Sequence, residues 1–130
     1  MHRFSLQTTR RSEMINITAD IEAAARAVGV QNGSVLVWVP HTTAAVTINE
    51  GADPDVPEDM LRRLGTMVPW RDLDDLHGEG NSAAHLKSSL VGCSQVVAIQ
   101  DGKVRLGTWQ VVWFCEFDGP RQRKVEVTAL

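Results

Sequence analysis

Residues 107–117 set Trp109, Val111, Trp113, Cys115 and Phe117 at every second position. A two-residue period lines these side chains along one face of an extended strand, whereas a helix would scatter them around its axis. An all-apolar strand face needs cover, so the chain must build a sheet with something packed against it. The opposite face carries Thr108, Gln110, Val112, Phe114 and Glu116, a mixture. The first face is therefore the expected core and the second a partly polar one.

Other strand-length segments are residues 4–8, 14–17, 34–40, 44–49, 94–100 and 124–128, with the long strand reaching back to 105. The first two flank the polar Arg10-Arg11-Ser12 and read as a hairpin. Asn32-Gly33 is a turn signal, Asp101-Gly102 marks a tight hairpin, and Asp118-Gly119-Pro120-Arg121 makes the last turn. Helices are expected at 21–28, capped by Thr18 and stopped by Gly29, and at 58–67, opened by Pro57 and ended by Pro69. A third should run over 82–91, capped by Asn81 and closed by Gly92, after a polar, aperiodic loop at 70–80. Strands in runs with separate helices predict an α+β fold, a mainly antiparallel sheet or sandwich with a few helices on one side. No repeat or linker divides residues 1–130, so one domain is expected.

With 130 residues, 43% of them hydrophobic and 22% charged, the chain is long enough for a sizeable core. Its net charge of -3 argues against nucleic acid as a partner. No apolar run approaches the roughly 20 residues of a membrane span, so no membrane partner is expected. Met1-His2-Arg3-Phe4-Ser5 lacks a signal peptide's apolar core, and Cys93 and Cys115 both sit in apolar settings. A reduced, cytoplasmic protein is the default. Among bulky neighbours, Cys115 reads as a core filler rather than a nucleophile.

Three of the histidines end different kinds of segment. His41 closes a strand on the face of Val35, Val37 and Val39; His77 lies in the 70–80 loop; His85 falls in the early part of the third helix. On that helix Ala83, Leu86 and Leu90 share one side, while Ser82, His85, Ser88 and Ser89 share the other. Each histidine alone is ordinary. Jointly, His41, His77 and His85 match the usual ligand set of a catalytic divalent-metal site, zinc or magnesium, with a coordination position left for water or substrate. Their spacing matches no short zinc motif, and the plain alternative is a polar cleft whose histidines bond to backbone and water.

Glu50 follows an apolar strand on the face of Val46 and Ile48, which suits a general base or the orienter of a ligating histidine. Asp53 and Asp55 read instead as turn and capping residues. Asn81 and Ser82 at a helix start offer an anion site beside Lys87, whose stem falls toward the apolar flank. Gln110 is a candidate substrate contact. Arg121 can grip a phosphate or carboxylate, although a salt bridge with Asp118 is the duller alternative.

The ordered set His41-Thr42-Thr43-Ala44, Asn49-Glu50, Asp53-Pro54-Asp55-Val56, Gly80-Asn81-Ser82, His85-Leu86-Lys87-Ser88-Ser89-Leu90, Leu106-Gly107-Thr108-Trp109-Gln110 and Glu116-Phe117-Asp118-Gly119-Pro120-Arg121 closely resembles the YjbQ-like family. The likeness spans nearly the whole chain; the first strands and the Ala-rich helix match only in pattern. Gly51 and Cys93 depart from it, and neither touches a motif histidine. The resemblance implies a small α+β domain that assembles as a homotrimer, with a polar cleft where His41, His77 and His85 meet. It also implies an enzyme acting on a phosphorylated metabolite, with weak thiamine-phosphate synthase activity. That reaction joins a pyrimidine diphosphate to a thiazole phosphate with loss of pyrophosphate. A metal-dependent hydrolase is a further enzymatic version. The alternatives are a non-catalytic trimeric binding protein for a small anionic metabolite, and a scaffold whose histidines stabilise an interface.

Overall fold

The computed structural model describes all 130 residues, Met1–Leu130. Its elements run β1 (His2–Gln7), β2 (Glu13–Asn16), α1 (Thr18–Ala27), β3 (Gly33–Trp38), β4 (Ala44–Glu50), α2 (Asp55–Met67), α3 (Ser82–Val91), β5 (Ser94–Gln100), β6 (Lys103–Val104), β7 (Gln110–Glu116) and β8 (Gln122–Ala129). They form a five-stranded sheet in the order β1-β8-β3-β5-β6 and a three-stranded sheet in the order β2-β7-β4. Every pairing is antiparallel, and the fold is α+β as expected.

The main core lies between the two sheets. Val35, Val37, Val97, Ile99, Val125 and Val127 come from the larger sheet, Val46, Val112 and Phe114 from the smaller, and Ile17, Ile21, Ala24 and Ala25 from α1 and the residue before it. Burying a side chain such as Phe114 stabilises the fold by roughly 1.5–3 kcal/mol. The other face of the small sheet meets α2 and α3 through a second cluster around Ala45, Ala84, Cys115 and Phe117. Burial pushes the Cys115 thiol up to about 12, which suits a core filler and not a nucleophile.

Five local expectations are corrected. Strands β1 and β2 are not a hairpin: β1 pairs with β8 and β2 with β7, in different sheets. The linker between them is drawn inward instead, because the buried Thr8 donates its hydroxyl to Glu116 and its N–H to the Arg121 carbonyl. Gly119 permits the approach, since a Cβ there would collide with the Arg10 carbonyl oxygen.

The long strand is also interrupted. After the Asp101-Gly102 turn, both residues at positive φ, only Lys103–Val104 and then Gln110–Glu116 are extended. Its expected core face is only partly so: Cys115 and Phe117 are buried, but in the smaller second cluster. Val112, Phe114 and Glu116 face the main core, while Trp113 packs toward the helices and Trp109 is exposed. Both faces of β7 are covered, so alternation alone cannot say which cover is the larger.

Helix α3 is turned over. It buries Ala83, Ala84, Lys87 and Ser88 and leaves Leu86 and Leu90 exposed. Small side chains let it lie close on β4, and Ser88 donates its hydroxyl to the Thr42 carbonyl. Finally, Thr18 is no cap: it lies inside α1, where its hydroxyl accepts the Val112 N–H at 2.9 Å.

Candidate functional site

The chain leaves β3 at Trp38 and reaches Pro40, which has no N–H to continue the ladder. His41 follows directly, and its Nε2 accepts the Lys124 N–H at 3.0 Å. An accepting Nε2 places the proton of the neutral ring on Nδ1. Burial, reinforced by the neighbouring Arg123 cation, lowers the His41 pKa and keeps this ring neutral at neutral pH.

His85 projects from the α3 that Ser88 anchors beside Thr42. His77 comes from the 70–80 loop, folded back by a turn in which the Gly80 N–H donates to the His77 carbonyl. The His77 and His85 rings stand edge to face, with centroids 5.5 Å apart, and Glu79 lies 4.0 Å from His77 Nε2. All three histidines border one polar cavity of about 400 Å³. Residues spread from strand end to loop to helix are therefore brought together.

Beneath the cavity lies a buried ion pair. Glu116 is fully buried and Arg123 is 4% exposed. Arg123 donates Nε to Glu116 Oε1 at 2.8 Å, Nη2 to Glu116 Oε2, and Nη2 again to Thr43 Oγ1 at 2.9 Å. Glu116 also accepts the Thr8 hydroxyl at 2.7 Å and the N–H groups of Phe117 and Asp118, each at 3.1 Å. Nearer the rim, Asp118 accepts from Asn81 Nδ2 at 2.8 Å and from Arg121 Nη2 at 2.9 Å. Asn81 sits at the cap position of α3 without capping it, and its Oδ1 is buried with no partner in the chain. Asn81 and Arg121 border the cavity together with Arg123.

Glu50, Ser82, Lys87 and Gln110 do not border this cavity. Glu50 and Gln110 are register partners at the far end of the β4–β7 pair. There Glu50 Oε2 accepts the Ala52 N–H, and Gln110 Oε1 accepts the Gly107 N–H. Ser82 borders a separate hollow beside Met67 and Leu86. Lys87 is buried in the protein, where desolvation and then Arg11 lower its pKa.

Arg123, Glu116 and Thr43 were not among the expected site residues. A signal was present in the alternation: Arg123 shares the inward face with Val125 and Val127, and Glu116 shares one with Val112 and Phe114. Opposite charges at inward positions of different strands call for each other.

The donor set was expected to hold a divalent ion. No group of three His, Cys, Asp or Glu side chains is arranged to hold one as the side chains stand. His41 in particular would have to surrender the Lys124 hydrogen bond or its Nδ1 proton.

A family model described as "UPF0047 protein YjbQ-like" matches residues 2–130. The chain is 55% identical over 118 residues to the UPF0047 protein YugU of Bacillus subtilis, covering 91% of this chain and 89% of that protein. It is 47% identical over 127 residues to a UPF0047 protein of Methanocaldococcus jannaschii, covering 98% and 91%. A crystal structure of a YjbQ/UPF0047 protein from Clostridium acetobutylicum superposes with a TM-score of 0.95 at 48% identity, over 100% of both chains. The crystal structure of a conserved hypothetical protein from Thermus thermophilus gives a TM-score of 0.93 at 44% identity, again over 100% of both chains. With the match running from His2 to the last residue, this chain belongs to the YjbQ-like UPF0047 family.

Proposed function

We propose that this protein is a small-molecule enzyme acting on a phosphorylated metabolite in the cavity bordered by His41, His77 and His85. The observation that carries the reading is the convergence of these imidazoles on one polar cavity that Arg121 and Arg123 also border. Guanidinium and imidazole N–H groups suit the oxygens of a phosphoryl group. The edge-to-face pair His77 and His85 can take and return a proton, while the neutral His41 holds its own on Nδ1.

Thiamine-phosphate synthesis is the named transferase version. Its leaving pyrophosphate needs several cationic groups, and both arginines already serve carboxylates, Asp118 and Glu116. The predicted activity is therefore weak. A divalent ion, zinc or magnesium, would supply the missing positive charge, at the cost of rearranging His41. We also propose a cytoplasmic homotrimer; large apolar side chains left exposed on β3, β5 and α3, namely Trp38, Val96, Leu86 and Leu90, support self-association.

The test is a turnover assay on the untagged protein, using phosphorylated substrates that include the pyrimidine diphosphate and thiazole phosphate pair, with and without added zinc or magnesium. Product formation that His85→Ala lowers by about 10²-fold or more supports the reading. Binding without turnover, abolished in His85→Ala, would replace it with a non-catalytic binding protein. Absence of both overturns it. Stimulation by a metal that His77→Ala abolishes would restore the metal version, and light scattering at three times the chain mass would support the trimer.

A further inference from the structure

The proposed phosphoryl site needs a group that carries the ligand's charge, and the arginines that border the cavity differ in how firmly they are held. Arg121 is tied to a single neighbour at the rim: Nε donates to the Asp118 carbonyl at 2.8 Å and Nη2 to the Asp118 carboxylate at 2.9 Å, while Nη1 is unused and the side chain is 49% exposed. Arg123 is held from behind. Its Nε and Nη2 engage Glu116, and Nη2 also engages Thr43. None of its hydrogen bonds uses Nη1. Nor is Nη1 sealed away, since Asn81 Oδ1 is the one buried side-chain atom without a partner.

The charge arithmetic favours the same residue. Glu116 is served by the Thr8 hydroxyl and by the N–H groups of Phe117 and Asp118 as well as by Arg123. Its negative charge is thus spread over donors on several segments, and the guanidinium keeps part of its own for the cavity. A guanidinium fixed along one edge has already lost its rotamer freedom, so a ligand gains the bond without ordering the side chain.

We infer that Arg123 is the anion anchor of this cavity: its Nη1, set in place by Glu116 and Thr43, binds the phosphoryl group of the ligand beside His41. The inference rests on the phosphorylated-metabolite reading and names the residue that carries it.

Inorganic phosphate is the probe, titrated into the full chain by calorimetry and by NMR of the arginine Nε–Hε signals. Arg123→Lys should weaken phosphate binding by about tenfold or more, while Arg121→Lys costs at most about threefold. The Arg123 signal should move with phosphate more than the Arg121 signal. Because lysine cannot keep both bonds to Glu116, Thr43→Val is measured beside it. That change removes the Nη2 bond to Oγ1 and leaves the guanidinium to Glu116 and to the longer 3.4 Å bond to the Thr43 carbonyl, and should weaken phosphate about threefold or more. Unchanged affinity in a folded Arg123→Lys overturns the inference; where that variant does not fold, unchanged affinity in Thr43→Val does. Phosphate binding that fails in Arg121→Lys but survives in Arg123→Lys overturns the anchor alone. No phosphate binding by the unaltered protein overturns both the anchor and the function it rests on.

Discussion

The two ends of the β4–β7 pair are built from similar residue types and behave in opposite ways. At the far end, Glu50 bonds to Ala52 and Gln110 to Gly107, partners two and three residues away. At the cavity end, Thr8 reaches Glu116 across 108 positions and Arg123 reaches Thr43 across 80. Short-range bonds shape a turn and ask nothing of the rest of the fold. Long-range bonds exist only when separate segments have arrived, so they can hold a site whose members the chain order keeps apart. Polar residues on a strand are thus poor guides to a site until the reach of their partners is known.

The sharpest way to break this contrast is to remove the anchor at the cavity end. Glu116→Ala leaves the Arg123 cation buried without its partner, and urea denaturation should register a loss of roughly 3–5 kcal/mol. A loss below about 1 kcal/mol would mean that water reaches the pair and the end is not locked. Next in size, Thr8→Val removes a hydrogen bond to a charged carboxylate and should cost roughly 1.5–3 kcal/mol by the same measurement.

Acid should act at the cavity end too. The folded protein holds the His41 pKa below its ordinary value, mainly by burial, so between the two values the unfolded chain binds more protons. Stability therefore falls as pH drops from the ordinary value of 6.5 toward the lower folded one. His41→Gln should flatten that part of the melting-temperature profile, and an unchanged slope would assign the acid sensitivity elsewhere. The smallest effects belong at the far end, where Glu50→Gln and Gln110→Ala should each change stability by no more than about 0.5 kcal/mol. A larger loss there would erase the contrast between the ends.

Much of the architecture was legible in the chain itself. The third helix occupies Ser82–Val91 as expected, and, the interrupted 105–117 segment aside, the strands of both sheets fall close to their predicted segments. Gly29, Gly92 and the Asp101-Gly102 turn all adopt the positive φ that such punctuation implies. What failed was orientation. The apolar stripe of α3 pointed to Leu86 and Leu90 as its buried side, yet contact with β4 selects the small residues Ala83, Ala84 and Ser88. Periodicity states which residues share a face; it does not state what that face will meet.

The candidate site divides along the same line. His41, His77 and His85 were readable because imidazoles at segment ends are conspicuous, and the fold brings them to one cavity. Glu50 and Gln110 were equally conspicuous, but the β4–β7 register pairs them with each other away from the cavity. Arg123 was hidden in a short basic tail, where only its alternation with Val125 and Val127 hinted that it faces inward.

Local backbone preference and side-chain period act over a few residues, and these the amino-acid order determined directly: the helices, the strands, most of the turns and the α+β class. Which strands pair, which faces meet, and which arginine lies above a buried carboxylate were decided only by the tertiary structure. Those outcomes depend on burial and hydrogen bonding between segments up to 108 positions apart, energies that no short window of sequence contains.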